Sequence, residues 1–397
     1  MSEYMTFNRN EFVGAFVMAL DFLESSVRSN VTNHNKRVAL MAIRLGARLG
    51  LSAEDMFDLY AGAVLHDNGI TNPVYNKLST GGISNMERFM SHCIVGEENL
   101  KVFPFLKPRE GMILYHHEAY DGSGYFGMSG RAIPLLAHVI HLADTVEIMY
   151  AQGLGRKEVG AKVAEWNGSQ FLPDVCEAFD EINSLAFWLS LDNRFIDGEL
   201  NRSVPHYHME MTLRELAPIA GIFGKFVDEK SPFTGRHSRG IAEKLETMAD
   251  FYNFDEDIKT KLILSAHLHD IGKLATPNAI LDKNASLTPE EFDLVKPHVF
   301  YTRRMLEGIK GFEDITEWAS NHHEKLDGSG YPYGFTAKDL DFGSRLMVCI
   351  DIYQALTEER PYRSPLEYAK VSRIMGGMAD NNSIDRDITA DVLEALR

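Results

Sequence analysis

The chain has 397 residues, long enough for two domains that each bury a core of their own. Hydrophobic residues make up 45% and charged residues 24%, near globular averages, so a long disordered tract is not expected. The formal net charge of −17 speaks against binding a nucleic-acid polymer through its backbone, which rests on Lys and Arg neutralising phosphates.

No apolar run approaches the ~20 residues that cross a bilayer, and Met1-Ser2-Glu3-Tyr4 lacks the basic and then apolar build of a signal peptide. Cys93, Cys176 and Cys349 show no CxxC spacing. A reduced, cytoplasmic protein without a membrane partner is the expectation.

In chain order, residues 10–29 place Phe12, Phe16, Ala19, Leu20, Leu23 and Val27 on one stripe and predict an amphipathic helix. A second helix is expected over 33–49, with Asn33 as its cap and His34 near its start. Ser52-Ala53-Glu54-Asp55 reads as the start of a third, which runs into Ala63-Val64-Leu65-His66-Asp67. A loop rich in Gly, Ser and Asn follows over 71–85, then helical segments with His92 and His116-His117, then a helix around Asp144. A boundary is placed near 195–210, where His206 and His208 could ligate a metal but, with no partner cluster, read rather as solvated linker histidines. No strand alternation of any length appears. The expected fold is all-α, two tandem helical bundles over 1–205 and 206–397.

The two halves repeat one another. His34 to His66 spans 32 residues, and so does His237 to His269. His66 to His92 is 26 against 29 for His269 to His298, and the next step, to His116 or His322, is 24 in both. His116 to Asp144 is 28 against 29 for His322 to Asp351, and Asp121-Gly122-Ser123-Gly124-Tyr125 matches Asp327-Gly328-Ser329-Gly330-Tyr331. An internal duplication accounts for this.

The second half carries the denser chemistry, in His267-Leu268-His269-Asp270-Ile271-Gly272-Lys273 and in Asn321-His322-His323-Glu324. Neighbouring side chains on a helix project about 100° apart, so a His-His pair converges only on something that fits between them. A metal ion or metal pair is the natural candidate, because neutral imidazole is the commonest metal ligand.

Together with His237, His298, Asp327-Gly328-Ser329-Gly330-Tyr331-Pro332, Asp351 and Arg360-Pro361-Tyr362-Arg363, these stretches resemble the HD-GYP phosphodiesterases, a branch of the HD metal-dependent phosphohydrolases. The resemblance covers roughly residues 209–375. It implies a site of two divalent metals, iron or manganese in the family. His237, His269, Asp270 and Asp351 would hold the first, Asp270 would bridge, and His298, His322 and His323 would complete the second. A third metal in some members uses a Glu four residues before the first His; Phe233 stands there in this chain. Asp270 and Lys273 are the candidate catalytic residues, the Lys273 ammonium contacting the scissile phosphate or the leaving oxygen. A helix-capping surface lysine is the other reading of Lys273. Arg360 and Arg363 match phosphate-binding positions, where a guanidinium forms forked hydrogen bonds. Arg345 is a weaker candidate for the same work, and an ordinary helix-surface arginine is its other reading. Tyr331 is a candidate for stacking on a base, or a packed tyrosine in a tight turn.

The first half keeps His34, His66, Asp67, His92, His116, His117 and Asp144 but changes their surroundings. Ile70 stands at the lysine position, Phe126 at the proline position, and the arginine pair after Asp144 is missing. Metal binding without efficient phosphodiester chemistry is expected there. The implied activity is hydrolysis of a cyclic dinucleotide, cyclic di-GMP or 3′,3′-cyclic GMP-AMP, to a linear dinucleotide. The alternatives are a non-catalytic cyclic-dinucleotide receptor or scaffold, and a nucleotide phosphohydrolase of the wider HD superfamily. A homodimer is compatible with either. Gln354 stands where the family commonly has Asp; beside a base its amide would relax selectivity for guanine, and otherwise it serves local backbone.

Overall fold

The computed structural model describes residues 5–28, 33–70, 85–204, 206–230, 237–281, 283, 285–359 and 364–397. The chain forms two compact units, Asn8–His208 on the one hand, and Met209–Arg397 with Met1–Phe7 on the other. Both are built of helices. The only strands among the described residues, Met5–Asn8 and His208–Met211, pair as a two-stranded sheet.

In the first unit the helix Arg9–Arg28 buries Phe12, Phe16, Ala19 and Leu20, the face read from the stripe; the Leu23 and Val27 side chains lie outside the described ones. The helix His34–Arg48 begins where expected, but Asn33 does not cap it. Its backbone is left-handed (φ 65°), and its side-chain amide donates instead to Asn193 Oδ1 at 3.1 Å. Ser52 does cap the helix Ala53–Leu65, its Oγ accepting from the Asp55 N–H at 3.1 Å. The helix Leu135–Ala151 is apolar nearly all round, with Leu136, Val139, Ile140, Leu142, Ala143 and Val146 buried, as a central helix must be. Asp144 sits in the middle of that apolar run, so its carboxylate needs a partner in the interior.

The second unit repeats the plan. Asp255 caps the helix Glu256–Leu268 and Asp341 caps Phe342–Thr357, each carboxylate accepting a backbone N–H at 2.8 Å. Ile241, Leu245, Leu262, Leu346, Met347, Ile350 and Met375 form the core between these helices, His237–Phe251 and Tyr368–Asp380. Each such side chain contributes roughly 1.5–3 kcal/mol by burial. The core therefore fixes the helix ends, and the helix ends carry the polar cluster.

One backbone contact sets that cluster. A Cβ on Gly272 would lie 1.9 Å from the His298 carbonyl oxygen, and one on Gly69 would lie 2.2 Å from that of His92. In both units the turn after His-Asp presses onto the backbone of a helix, at its start in the second unit and mid-helix in the first, so closely that only glycine fits.

Candidate metal centre

All but one of the ligand candidates of the second unit come from helix ends. His237 starts His237–Phe251, His269 and Asp270 follow Glu256–Leu268, and His298 starts His298–Leu306. His322 and His323 come just after Glu313–Ser320, and Asp351 projects from the middle of Phe342–Thr357. One pattern orients the rings. His269 Nδ1 lies 2.7 Å from the Ala266 carbonyl, His298 Nδ1 2.8 Å from that of Val295, and His322 Nδ1 2.7 Å from that of Ala319. A carbonyl only accepts, so each Nδ1 carries a proton and each Nε2 is left as a lone pair.

Those lone pairs face one carboxylate. The Nε2 atoms of His269, His298 and His322 lie 3.1, 3.4 and 3.7 Å from Asp270 oxygens, and His298 and His322 present Nε2 to each other at 3.4 Å. Asp270 Oδ1 is buried and has no hydrogen-bond partner among the described residues. Leaving such an atom unsatisfied costs about 1–3 kcal/mol. A cation bound among these acceptors removes that cost, so the donor set fits a divalent metal of the kind that takes imidazole and carboxylate.

The cluster is continuous. His237, His269 and Asp351 offer ligand atoms within 4.8 Å of one another; so do His269, Asp270 and His322, and so do His298, His322 and His323. Burial holds His298 down to about 3 and His323 to about 4, and keeps His322 well below its usual range, so all three are neutral. His237 differs. Burial opposes its charged form, yet Asp351 Oδ1 at 2.9 Å and Glu358 Oε2 at 3.0 Å outweigh that and lift it to about 9.

The Lys273 ammonium lies 2.6 Å from Asp270 Oδ2 on a partly exposed side chain at the edge of the cluster. The Tyr331 ring packs on His323 (centroids 4.9 Å, 37°) and meets the edge of Phe292 at 5.9 Å. Burial pushes its phenol up. Arg360 and Arg363 lie outside the described residues, as does Phe233. Arg345 is tied to the Leu340 and Ala337 carbonyls and to Asp385, a clamp on the loop before its own helix. His206 and His208 are exposed.

Gln354 does not offer its amide to a base. It is buried, its Oε1 accepts from Lys244 Nζ at 2.6 Å, and its Nε2 donates to Glu358 at 3.0 Å. Gln354 and Lys244 thereby steady Glu358, the carboxylate on His237. Glu358 and Lys244 carry no sequence signal of their own. Glu324 had one: it is fully buried and accepts from the N–H groups of Tyr333 (2.8 Å) and Phe335 (3.0 Å), lashing down the glycine-rich loop. Its repeat partner Glu118 does the same for Phe126 and Met128, both at 2.7 Å. A Cβ on Gly330 would lie 2.5 Å from Glu324 Cα, so that glycine serves the loop's own packing.

The first unit gathers its counterparts as well. His34, His66 and Asp144 form one group, and His92, His116 and His117 form another with Cys93, which stands where the second unit has Val299. Asp67 lies between them, 3.6 Å from His66 Nε2 and 3.4 Å from His92 Nε2.

A family model of the HD domain matches residues 21–164 and 222–388, once in each half. The chain belongs to the HD domain family. This HD-domain protein is similar to the 3′3′-cGAMP-specific phosphodiesterase 1 of Vibrio cholerae, 32% identical over 88% of this chain and 84% of the relative. It is likewise similar to the 3′3′-cGAMP-specific phosphodiesterase 3 of that organism, 30% identical over 80% of this chain and 70% of the relative. A cyclic di-GMP phosphodiesterase of Thermotoga maritima is 32% identical over 38% of this chain and 41% of its own length. Among solved structures, a cyclic GMP-AMP specific phosphodiesterase of Vibrio cholerae shares the fold, with TM-score 0.71, 24% identity and coverage of 99% of this chain and 98% of that one. Among the described residues, no helix is long and apolar enough to cross a membrane.

Proposed function

We propose that the chain is a metal-dependent phosphodiesterase that opens a cyclic dinucleotide to a linear one, with 3′,3′-cyclic GMP-AMP as the favoured substrate. The observation that carries the reading is the convergence of three imidazole lone pairs on Asp270, beside the His237–Asp351 pair. The choice of ring rests on coverage. The 3′3′-cGAMP-specific phosphodiesterases 1 and 3 align over 88% and 80% of this chain, whereas the phosphodiesterase 2 of that name aligns over 35% and the cyclic di-GMP phosphodiesterases of Thermotoga maritima and Pseudomonas aeruginosa over 38% and 36%.

A pair of divalent ions, iron or manganese, supplies a nucleophile at neutral pH and neutralises charge on the phosphate oxygens. In this reading His237, His269, Asp270 and Asp351 would hold one ion, and His298, His322 and His323, with Asp270 shared, would hold the other. Glu358 fixes the ring of His237, and the backbone carbonyls behind His269, His298 and His322 fix theirs. Lys273 supplies a local positive charge at the edge of an otherwise acidic chain, held by Asp270 until substrate oxygens compete for it. Arg360 and Arg363 would bind the substrate phosphates and Tyr331 would border a base. Catalysis is assigned to the half over 206–397, with 1–205 as its degenerate copy; cytoplasmic placement fits such a substrate. The test is hydrolysis of 3′,3′-cyclic GMP-AMP and cyclic di-GMP side by side, with added manganese or iron. The expected result is a linear dinucleotide formed faster from the mixed ring, and no cleavage of either ring would overturn the reading.

A further inference from the structure

We propose that the first unit holds a metal centre of its own, one that binds divalent cations and is not built for hydrolysis. Its imidazoles are arranged as in the second unit. Ring centroids of His34–His66, His66–His116, His92–His116, His92–His117 and His116–His117 lie 5.4, 5.4, 5.3, 5.2 and 4.0 Å apart. The matching pairs of the second unit lie at 5.5, 4.8, 5.4, 5.1 and 4.1 Å. Histidines that had become mere packing would have no reason to keep five spacings to within 0.6 Å of the other copy, the largest difference being 5.4 against 4.8 Å.

The donor atoms are also prepared in the same way. His66 Nδ1 lies 2.9 Å from the Ala63 carbonyl and His116 Nδ1 2.6 Å from that of Ile113, which turns both Nε2 lone pairs toward Asp67 and Asp144. His66 Nε2, His116 Nε2 and Asp144 Oδ1 are all buried without a hydrogen-bond partner among the described residues. Three orphaned acceptors in one interior are costly unless a cation collects them. The first histidine is aimed by Glu147, which lies on the helix turn after Asp144. Glu147 accepts from His34 Nδ1 and, at 2.7 Å, from the buried Arg37. The second unit does this job with Glu358, one turn further on, and has Gly240 and Gln354 at the positions of Arg37 and Glu147. Different residues in the two units thus orient the same ligand, a device that only makes sense if the ligand is used.

The substrate side is what differs. Ile70 fills the place of Lys273 and is 4% exposed. The neighbouring Asn68, in the place of Ile271, is locked by the Leu65 carbonyl (2.7 Å), the Gly96 carbonyl (3.2 Å) and Asn99 (2.8 Å). Burial itself is alike in the two units: His66 and His116 are buried as His269 and His322 are, and His117, like His323, is only partly buried. The lysine that adjoins the second unit's cluster has no counterpart at the matching position here.

The test uses the full chain in an Asp270→Ala, Asp351→Asn background, which disables the second unit's cluster, loaded with manganese and desalted. Elemental analysis should still find metal, and a chelator should lower the Tm of the retained protein by about 5 °C or more. Adding Asp144→Asn, or separately His66→Gln, should abolish both the bound metal and the chelator effect, with far-UV circular dichroism showing that helices persist. A folded background protein without metal overturns the proposal. So does metal that survives both added substitutions.

Discussion

Asp270 is the residue on which the second unit's cluster turns, because its two oxygens are approached by three histidines and one lysine. Asp270→Ala should therefore lose both metal content and hydrolysis of the cyclic dinucleotide. Elemental analysis showing two metals still bound to the variant would remove Asp270 from the bridging role. Lys273 is a different case, since its ammonium touches only one of those oxygens from the rim. Lys273→Ala should keep the metals and lose about 10²-fold in kcat, the scale of one electrostatic or acid–base group. Unaltered turnover would reduce Lys273 to a surface cation paired with Asp270. Much of this was legible in the sequence: all seven ligand candidates of the second unit meet in one cluster, at the order and spacing read from the chain. Glu358 was not, because an acidic residue seven positions after Asp351 looks like any other until the fold brings it to His237.

At the scale of elements, the crossing of the His-Asp turn with the helix His298–Leu306 positions several ligands at once. Gly272 N–H donates to Thr302 Oγ1 at 3.1 Å, and that hydroxyl donates to the His269 carbonyl at 2.9 Å, so turn and helix are bolted together at the ligands. Gly272→Ala forces the two backbones apart and should destabilise the second unit by about 2–4 kcal/mol, in the range of overpacking and strain. Urea denaturation followed by circular dichroism reads this, and a variant of wild-type stability with full metal content would show that the crossing yields freely. The glycine-rich loop is a second such element. Glu324→Gln keeps the size of the side chain but halves its capacity to accept backbone N–H groups. The loop that carries Tyr331 should loosen, raising KM for the cyclic dinucleotide more than it lowers kcat. A fall confined to kcat would instead place Glu324 in the chemistry.

For the whole molecule, the duplicated plan makes a sharp comparison available. Paired substitution of His66 and Asp67 by alanine should leave hydrolysis of the cyclic dinucleotide measurable, and the same change at His269 and Asp270 should end it. Ile70 in place of Lys273 is the reason for that asymmetry. Activity lost in the first double variant and kept in the second would move the working site to the other half.

The sequence by itself determined the duplication, the all-helical class and which His and Asp residues cluster, because each is written as identity and spacing along the chain. Helix periodicity and the His-Asp order survive in any one-dimensional reading. Only the tertiary structure decided what the polar residues around that set do. Asn33 turned out to bond Asn193 and not to cap its helix, Gln354 to steady Glu358, and Glu324 to hold a loop. These roles depend on partners that folding supplies from elsewhere: Glu358 lies 121 residues from His237 and Glu147 lies 110 from Arg37. A side chain's hydrogen-bonding capacity is fixed by its type, but burial decides that the capacity must be met and the fold decides by whom.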